Sequence, residues 1–316
     1  MDKEGTQLKG LALAEEYFDA FGKPMLDMHY SGIKSRIAAG FVGMGSDCLG
    51  FDDQLSRDHD WGPGFCIWLD KDDYEKVGAD LQHSYDALPV RYRGAERTIS
   101  TWGGGRRGVY DSGGFYWSVI GLPRAPVKAM EWLVIPEYNL ATSVSGKVFV
   151  DPTGEFSDIR AKILAYYPED VRKKKIAARC MSAAQSGQYN YQRCLQREDV
   201  YGAWRALTTF CEDLLAFVFL FNRRFMPYFK WHCRASAEMP ILGKAMSQAV
   251  HALCMGNNDT SKMSLITDCC NAVMDELRQQ QICTVVGNSL LDLGPVIHSS
   301  IEYKDLRDLD VWYRGG

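Results

Sequence analysis

The sequence predicts an α+β protein: a mixed sheet with flanking helices, followed by an all-helical bundle. Three observations point there. Short strand-like apolar runs, at residues 37–42, 65–69 and 147–150, are confined to the first half. Asp151-Pro152-Thr153-Gly154 then punctuates the chain. Beyond it, apolar residues recur every three or four positions, first at Ile159, Ile163 and Leu164 and then at Trp204, Leu207, Cys211, Leu214 and Val218. The expected domains are residues 1–155 and 156–316.

Taken in order, Leu8, Leu11, Phe18 and Phe21 have near-helical spacing, and Gly22 with Lys23-Pro24 supplies a stop. Residues 37–42 read as a strand leading into Gly43-Met44-Gly45-Ser46. Residues 58–69 read as a second strand, interrupted by the bulge-forming Gly62-Pro63-Gly64. Residues 71–86 are polar and suit a helix. The glycine-rich 103–114 reads as a loop or hairpin, and Lys147-Val148-Phe149-Val150 as a short strand. The segment around Phe217 is apolar on nearly every side, which predicts a central buried helix.

The 316 residues are 46% hydrophobic and 12% aromatic, enough for substantial cores. Net charge is -4 and the pI about 5.9, so no extended nucleic acid is expected as a partner and a small nucleotide fits better. The ten cysteines include no Cys-x-x-Cys, which argues against structural zinc and suits reduced thiols in a cytoplasmic setting. The N-terminus carries no basic-then-apolar segment, and the greasiest run, residues 214–221, is far shorter than the roughly 20 residues of a membrane span.

The stretch from Gly45 to Trp61 is the most informative. Gly45 permits close backbone approach and Ser46 offers a hydroxyl and an amide, so the pair reads as a phosphate cradle. After eleven intervening residues comes Asp58-His59-Asp60. On a strand, Asp58 and Asp60 would share one face about 6.5–7 Å apart while His59 points away. Two such carboxylates can converge on Mg2+, with substrate phosphates and waters completing the shell. Alone, an Asp-x-Asp is more often a solvated turn. The glycine-serine turn before it and the apolar Phe65–Leu69 run after it favour the metal-and-nucleotide reading.

Other motifs are excluded. Gly103–Gly108 satisfies G-x-G-x-x-G, but the following Val109-Tyr110-Asp111-Ser112-Gly113-Gly114 is no helix start for a dinucleotide fold, so the segment reads as a mobile basic loop. No Gly-Lys pair is followed by Ser or Thr, and neither H-E-x-x-H nor G-x-S-x-G occurs.

Gly45-Ser46, the spacing to Asp58-His59-Asp60 and a helical second half resemble the nucleotidyltransferase superfamily that includes kanamycin and lincosamide nucleotidyltransferases. Residues 49–53, 56–63 (Ser-Arg-Asp-His-Asp-Trp-Gly-Pro), 165–172, 185–191 and 222–227 look like one bacterial branch of it, a domain-of-unknown-function family. The resemblance implies Mg2+-dependent transfer of a nucleoside monophosphate from an NTP, with ATP the expected one, to a hydroxyl of a small acceptor, with pyrophosphate leaving. Asp58 and Asp60 would hold the metal, and Gly45 and Ser46 the phosphates. A third catalytic carboxylate is usual in the superfamily. Asp111 is the only well-placed candidate between 100 and 125, although its Ser-Gly-Gly neighbours look like a turn.

In the helical half, Glu212, Phe219 and Arg223 fall on nearly one helix face, so Glu212 and Arg223 could frame an acceptor or merely cap the wet ends of a buried helix. Arg172–Lys175 with Arg179 reads largely as a solvated helix face, from which Lys174 or Lys175 could turn to the triphosphate. Tyr189 and Tyr191 could stack on a base or sugar. Two other readings stand beside the small-molecule transferase: a nucleotide-binding regulator with weakened or lost catalysis, and a toxin–antitoxin type transferase acting on a protein or tRNA. The sequence does not define the oligomeric state.

Overall fold

The computed structural model describes residues 8–57, 60–98, 106–285 and 287–316. It contains two compact units. The first comprises the residues up to Ala125 with Thr142–Ala165, the second Pro126–Ala141 with Tyr166–Gly316. The chain therefore passes between units three times, where the sequence suggested one passage at 155/156. The reason lies in residues 142–165, which bring an edge strand and a sheet-covering helix back to the first unit.

The first unit is built on a four-stranded sheet of β1 (Ala38–Phe41), β2 (Cys66–Leu69), β3 (Gly108–Asp111) and β4 (Lys147–Val150), in the order β3-β2-β1-β4. β1 pairs antiparallel with β2 (Ala38 opposite Trp68) and with β4, whereas β2 and β3 run parallel with Cys66 opposite Gly108. Strand alternation divides the core between two faces. Ile67 and Leu69 pack with Tyr17, Phe18, Leu81 and Tyr85 of helices α1 (Gly10–Tyr17), its continuation and α2 (Lys71–Asp86). On the other face Trp68 stacks on Phe156 at 3.9 Å, joined by Phe115 and Tyr116, from α4 (Glu155–Leu164) and α3 (Ser112–Ile120).

Three local expectations are corrected. The first helix does not stop at Gly22-Lys23-Pro24. A π-helical turn, Phe18–Gly22, leads directly into the α-helix Lys23–His29, whose first turn contains Pro24. The second strand begins only at Cys66, because Asp60 and Gly62 both have positive φ and break the extended path. Residues 108–114 are not a loop. They form β3 and the start of α3, and the Asp111 carboxylate caps that helix by accepting from the Gly113 and Gly114 amides.

The second unit is helical, with α5 (Glu169–Ala183), α6 (Val200–Phe221), α7 (Gly243–Met255), α8 (Asp259–Gln279) and α9 (Leu290–Ser299) as its longest elements. No strand occurs among residues 160–280. Every residue from Leu214 to Phe221 is buried, as the all-round apolar pattern predicts, while Trp204 of the same stripe is half exposed. No helix among the described residues is long and apolar enough to cross a membrane.

The basic face of α5 is a further correction. Arg172, Lys174, Lys175 and Arg179 are buried rather than solvated. Each is paired with groups of the second unit. Arg172 Nε donates to the Leu220 carbonyl near the end of α6, and Lys174 Nζ to the Asp310 carbonyl. Lys175 Nζ donates to the carbonyls of Arg314 and Gly316. The C-terminal ends of helices and tight tails present unpaired carbonyls, and long cationic side chains are suited to meet them.

Candidate functional site

The turn that follows β1 has an unusual distribution of backbone hydrogen bonds. Its carbonyls are tied back: Ser145 Oγ donates to Gly43 O (2.6 Å), Arg106 Nη2 to Met44 O (2.6 Å) and the Phe51 amide to Ser46 O (2.7 Å). The amides of Gly45, Ser46 and Asp47 have no acceptor among the described residues. Successive backbone N–H groups left open in a turn form an anion-binding concavity. Gly45 has φ +125°, and a Cβ there would lie 1.9 Å from Arg106 Nη2, so only glycine lets the guanidinium close on the turn.

Arg106 and Arg107 immediately precede β3, and its parallel pairing with β2 carries them to the Gly-Ser turn. Arg106 Nη2 donates to Asp47 Oδ1 at 2.7 Å, and Nη1 to the Asp60 carbonyl at 2.8 Å. Arg107 Nη2 donates to the same carbonyl at 3.0 Å and lies 3.7 Å from Asp47 Oδ2. Two guanidiniums thus face one carboxylate. The Arg107 Nε is buried without a partner among the described residues, and burial pulls the Arg107 pKa down despite Asp47. Desolvation pushes the neighbouring Cys48 and Cys66 thiols up, Cys66 to about 12, so both stay protonated and are poor metal ligands.

Asp58 and His59 lie outside the described residues. Asp60 sits in a bend at φ 52°, buried beside the two arginines, rather than on a strand. Its neighbours in the motif build local scaffold. Asp52 Oδ2 accepts from the Gly10 amide at the start of α1 and from Trp61 Nε1. Asp53 Oδ1 accepts from the Ser56 amide and hydroxyl, and Arg57 lies over the Trp61 ring at 4.1 Å. No three His, Cys, Asp or Glu side chains among the described residues converge on a metal position. Asp60 and Ser46 carry oxygens of the type a hard cation such as Mg2+ prefers.

The remaining predicted residues are dispersed. Asp111 ends β3 opposite Leu69, its carboxylate engaged as the cap of α3. Lys174 and Lys175, expected near phosphates, are committed to carbonyls inside the second unit. Arg223 follows the end of α6 at φ 50° and pairs with Glu169 at 2.8 Å, away from the helix face it was expected to share with Glu212. Tyr189 is half exposed with Arg193 over its ring, while Tyr191 is buried and donates to Asp259. Glu212 lines a cavity of about 420 Å³, with Arg179, His232, Arg314 and three exposed aromatic rings, and Tyr191 lines another of about 270 Å³.

Residues 132–232 match the protein family described as Domain of unknown function (DUF4037). A crystal structure of a nucleotidyltransferase-like protein from Exiguobacterium sibiricum 255-15 is similar with a TM-score of 0.40 and 10% identity, covering 92% of this chain and 81% of that chain. That likeness is too slight to carry an inference. No curated protein matches the chain.

Proposed function

We propose that the first unit binds a nucleoside triphosphate at the Gly43–Asp47 turn and transfers its nucleoside monophosphate to a hydroxyl of a small molecule. The observation that carries this reading is the turn itself, with carbonyls tied back, amides open and two guanidiniums alongside. ATP is the expected nucleotide. In the reaction, the acceptor oxygen forms a bond to the α-phosphorus, the bond from that phosphorus to the bridging oxygen breaks, and pyrophosphate leaves. The hydroxyl proton passes to a carboxylate of the site. Such chemistry needs positioning and charge neutralisation more than covalent help.

Asp58 and Asp60 would hold Mg2+, which would supply charge neutralisation on the phosphates. Arg106 fixes the Asp60 backbone to the turn, and the open amides would receive phosphate oxygens. Replacing Asp58 or Asp60 with Asn should abolish metal-dependent pyrophosphate release across a panel of hydroxylated acceptors while the fold survives. If neither variant loses nucleotide affinity or turnover, both carboxylates are structural and the proposal is wrong.

One observation favours a second reading, a nucleotide-binding regulator with weakened chemistry. The Asp111 carboxylate, proposed as the third acidic group, is already hydrogen-bonded to two amides as a helix cap. Nucleotide binding by calorimetry without pyrophosphate release from any acceptor would select this reading.

A further inference from the structure

The 420 Å³ cavity of the second unit has a floor of opposed charges and a wall of rings. Tyr138, Tyr228 and Phe229 form the wall. Their exposures are 46%, 51% and 67%, with ring centroids 6.2 Å apart for Tyr138–Tyr228 and 4.5 Å for Tyr228–Phe229. Three adjacent half-exposed rings lining a concavity offer apolar surface to a ligand.

On the floor, Arg179 is tightly paired through its Nη1, 2.7 Å from Asp213 and 3.1 Å from Glu212. Arg314 is not. Its Nη2 lies 3.8 Å from Glu212 and its Nη1 3.5 Å from Asp213, distances at which an ion pair is loose. The Glu212 and Arg314 side chains are 47% and 41% exposed, so both reach the cavity. Although burial raises the Glu212 pKa, Arg179 and then Arg314 outweigh it and hold the carboxyl below its usual range. His232 is kept neutral by burial, its Nε2 directed at the Pro227 carbonyl. The charged side chains of the lining are two of each sign, Glu137 and Glu212 against Arg179 and Arg314. A dianion or dication would meet uncompensated repulsion there. A molecule carrying one charge of each sign can exchange the loose Glu212–Arg314 pair for two better ones.

We propose that this cavity binds a small zwitterion with an apolar or aromatic side group, of the α-amino acid class, its ammonium on Glu212, its carboxylate on Arg314 and its side group against the three rings. The tail that carries Arg314 is held for this purpose by Gly315, at φ +79°. A Cβ there would meet the Leu133 carbonyl at 1.9 Å. The proposal concerns binding alone and goes beyond the transfer reading, which can fail without affecting it.

The test titrates the full-length protein by calorimetry with L-phenylalanine, phenethylamine and 3-phenylpropionate, which share the ring and differ in charge. L-phenylalanine should bind, and loss of either charge should weaken binding about tenfold or more. Glu212→Gln should weaken L-phenylalanine by a similar factor and erase its advantage over 3-phenylpropionate. Phe229→Ala, at an exposed ring that leaves the ionic floor intact, should weaken all three ligands and serves if Glu212→Gln does not fold. Equal binding of the three ligands, absence of L-phenylalanine binding at millimolar concentration, or unchanged affinities in the folded variants would overturn the proposal.

Discussion

Arg106 and Asp60 are coupled through the backbone: Nη1 of Arg106 donates to the Asp60 carbonyl at 2.8 Å while Nη2 of the same guanidinium grips Met44 O and the Asp47 carboxylate. One side chain therefore spans the Gly-Ser turn and the segment that carries the acidic residue.

Arg106→Lys keeps the charge but loses the planar fork whose Nη1 and Nη2 meet separate segments. Loss of these charge-assisted bonds should cost about 2 kcal/mol or more. Nucleotide affinity should fall with it. Thermal melting and calorimetric titration of the nucleotide check both outcomes.

Gly45→Ala places a methyl where the Arg106 guanidinium sits, at a backbone φ of +125°. The strain should lower stability by about 1–3 kcal/mol. Because the turn's amides would be re-aimed, nucleotide binding should suffer more than the melting temperature alone accounts for.

Asp111 separates structural from chemical roles. Asn is as good an N-cap as Asp, so Asp111→Asn should leave stability nearly unchanged, whereas Asp111→Ala should cost about 1 kcal/mol. If Asp111 serves transfer, both variants lose pyrophosphate release. An active, stable Asn variant would restrict Asp111 to capping.

Asp213 is fully buried against Arg179. Asp213→Ala leaves that guanidinium partly uncompensated and should destabilise by about 3–5 kcal/mol. Glu212→Gln removes a half-exposed partner and should cost about 1 kcal/mol or less. Urea denaturation of the two variants checks the contrast.

Burial lowers the Lys174 pKa from 10.5 to about 8. Between those values the unfolded chain binds more protons at this group than the folded one, so its contribution makes stability rise with pH. Below about 8 the fold holds a buried ammonium and the cost is fully present. Lys174→Met should remove that rise, as read from denaturation at a series of pH values.

Periodicity made the scaffold legible. Helix α2 was readable because residues 71–86 form an unbroken polar, helix-compatible run, and α6 because apolar residues crowd every side. Cys66–Leu69 and Lys147–Val150 stood out as short apolar runs. Other features depended on partners distant in sequence. Asp111-Ser112-Gly113-Gly114 has the composition of a turn, and only burial of Phe115 and Tyr116 on the sheet makes it a helix start. The burial of Lys174 and Lys175 depends on carbonyls more than 130 residues away, which no local pattern records. The same holds for Arg106, whose proximity to Gly45 follows from the parallel register of β2 and β3. The signal available was its position just before a strand.

The return of residues 142–165 to the first unit constrains how the molecule can be made. β1 acquires its outer neighbour, β4, only after Pro126–Ala141 has been synthesised for the other unit. A nascent chain, or a fragment cut at Ala125, would expose the backbone of β1 along one side, an edge open to pairing with other chains. Expression of the first unit by truncation is therefore expected to yield aggregates. A fusion joining Ala125 to Thr142 through a short flexible linker and ending at Ala165 would restore the missing strand.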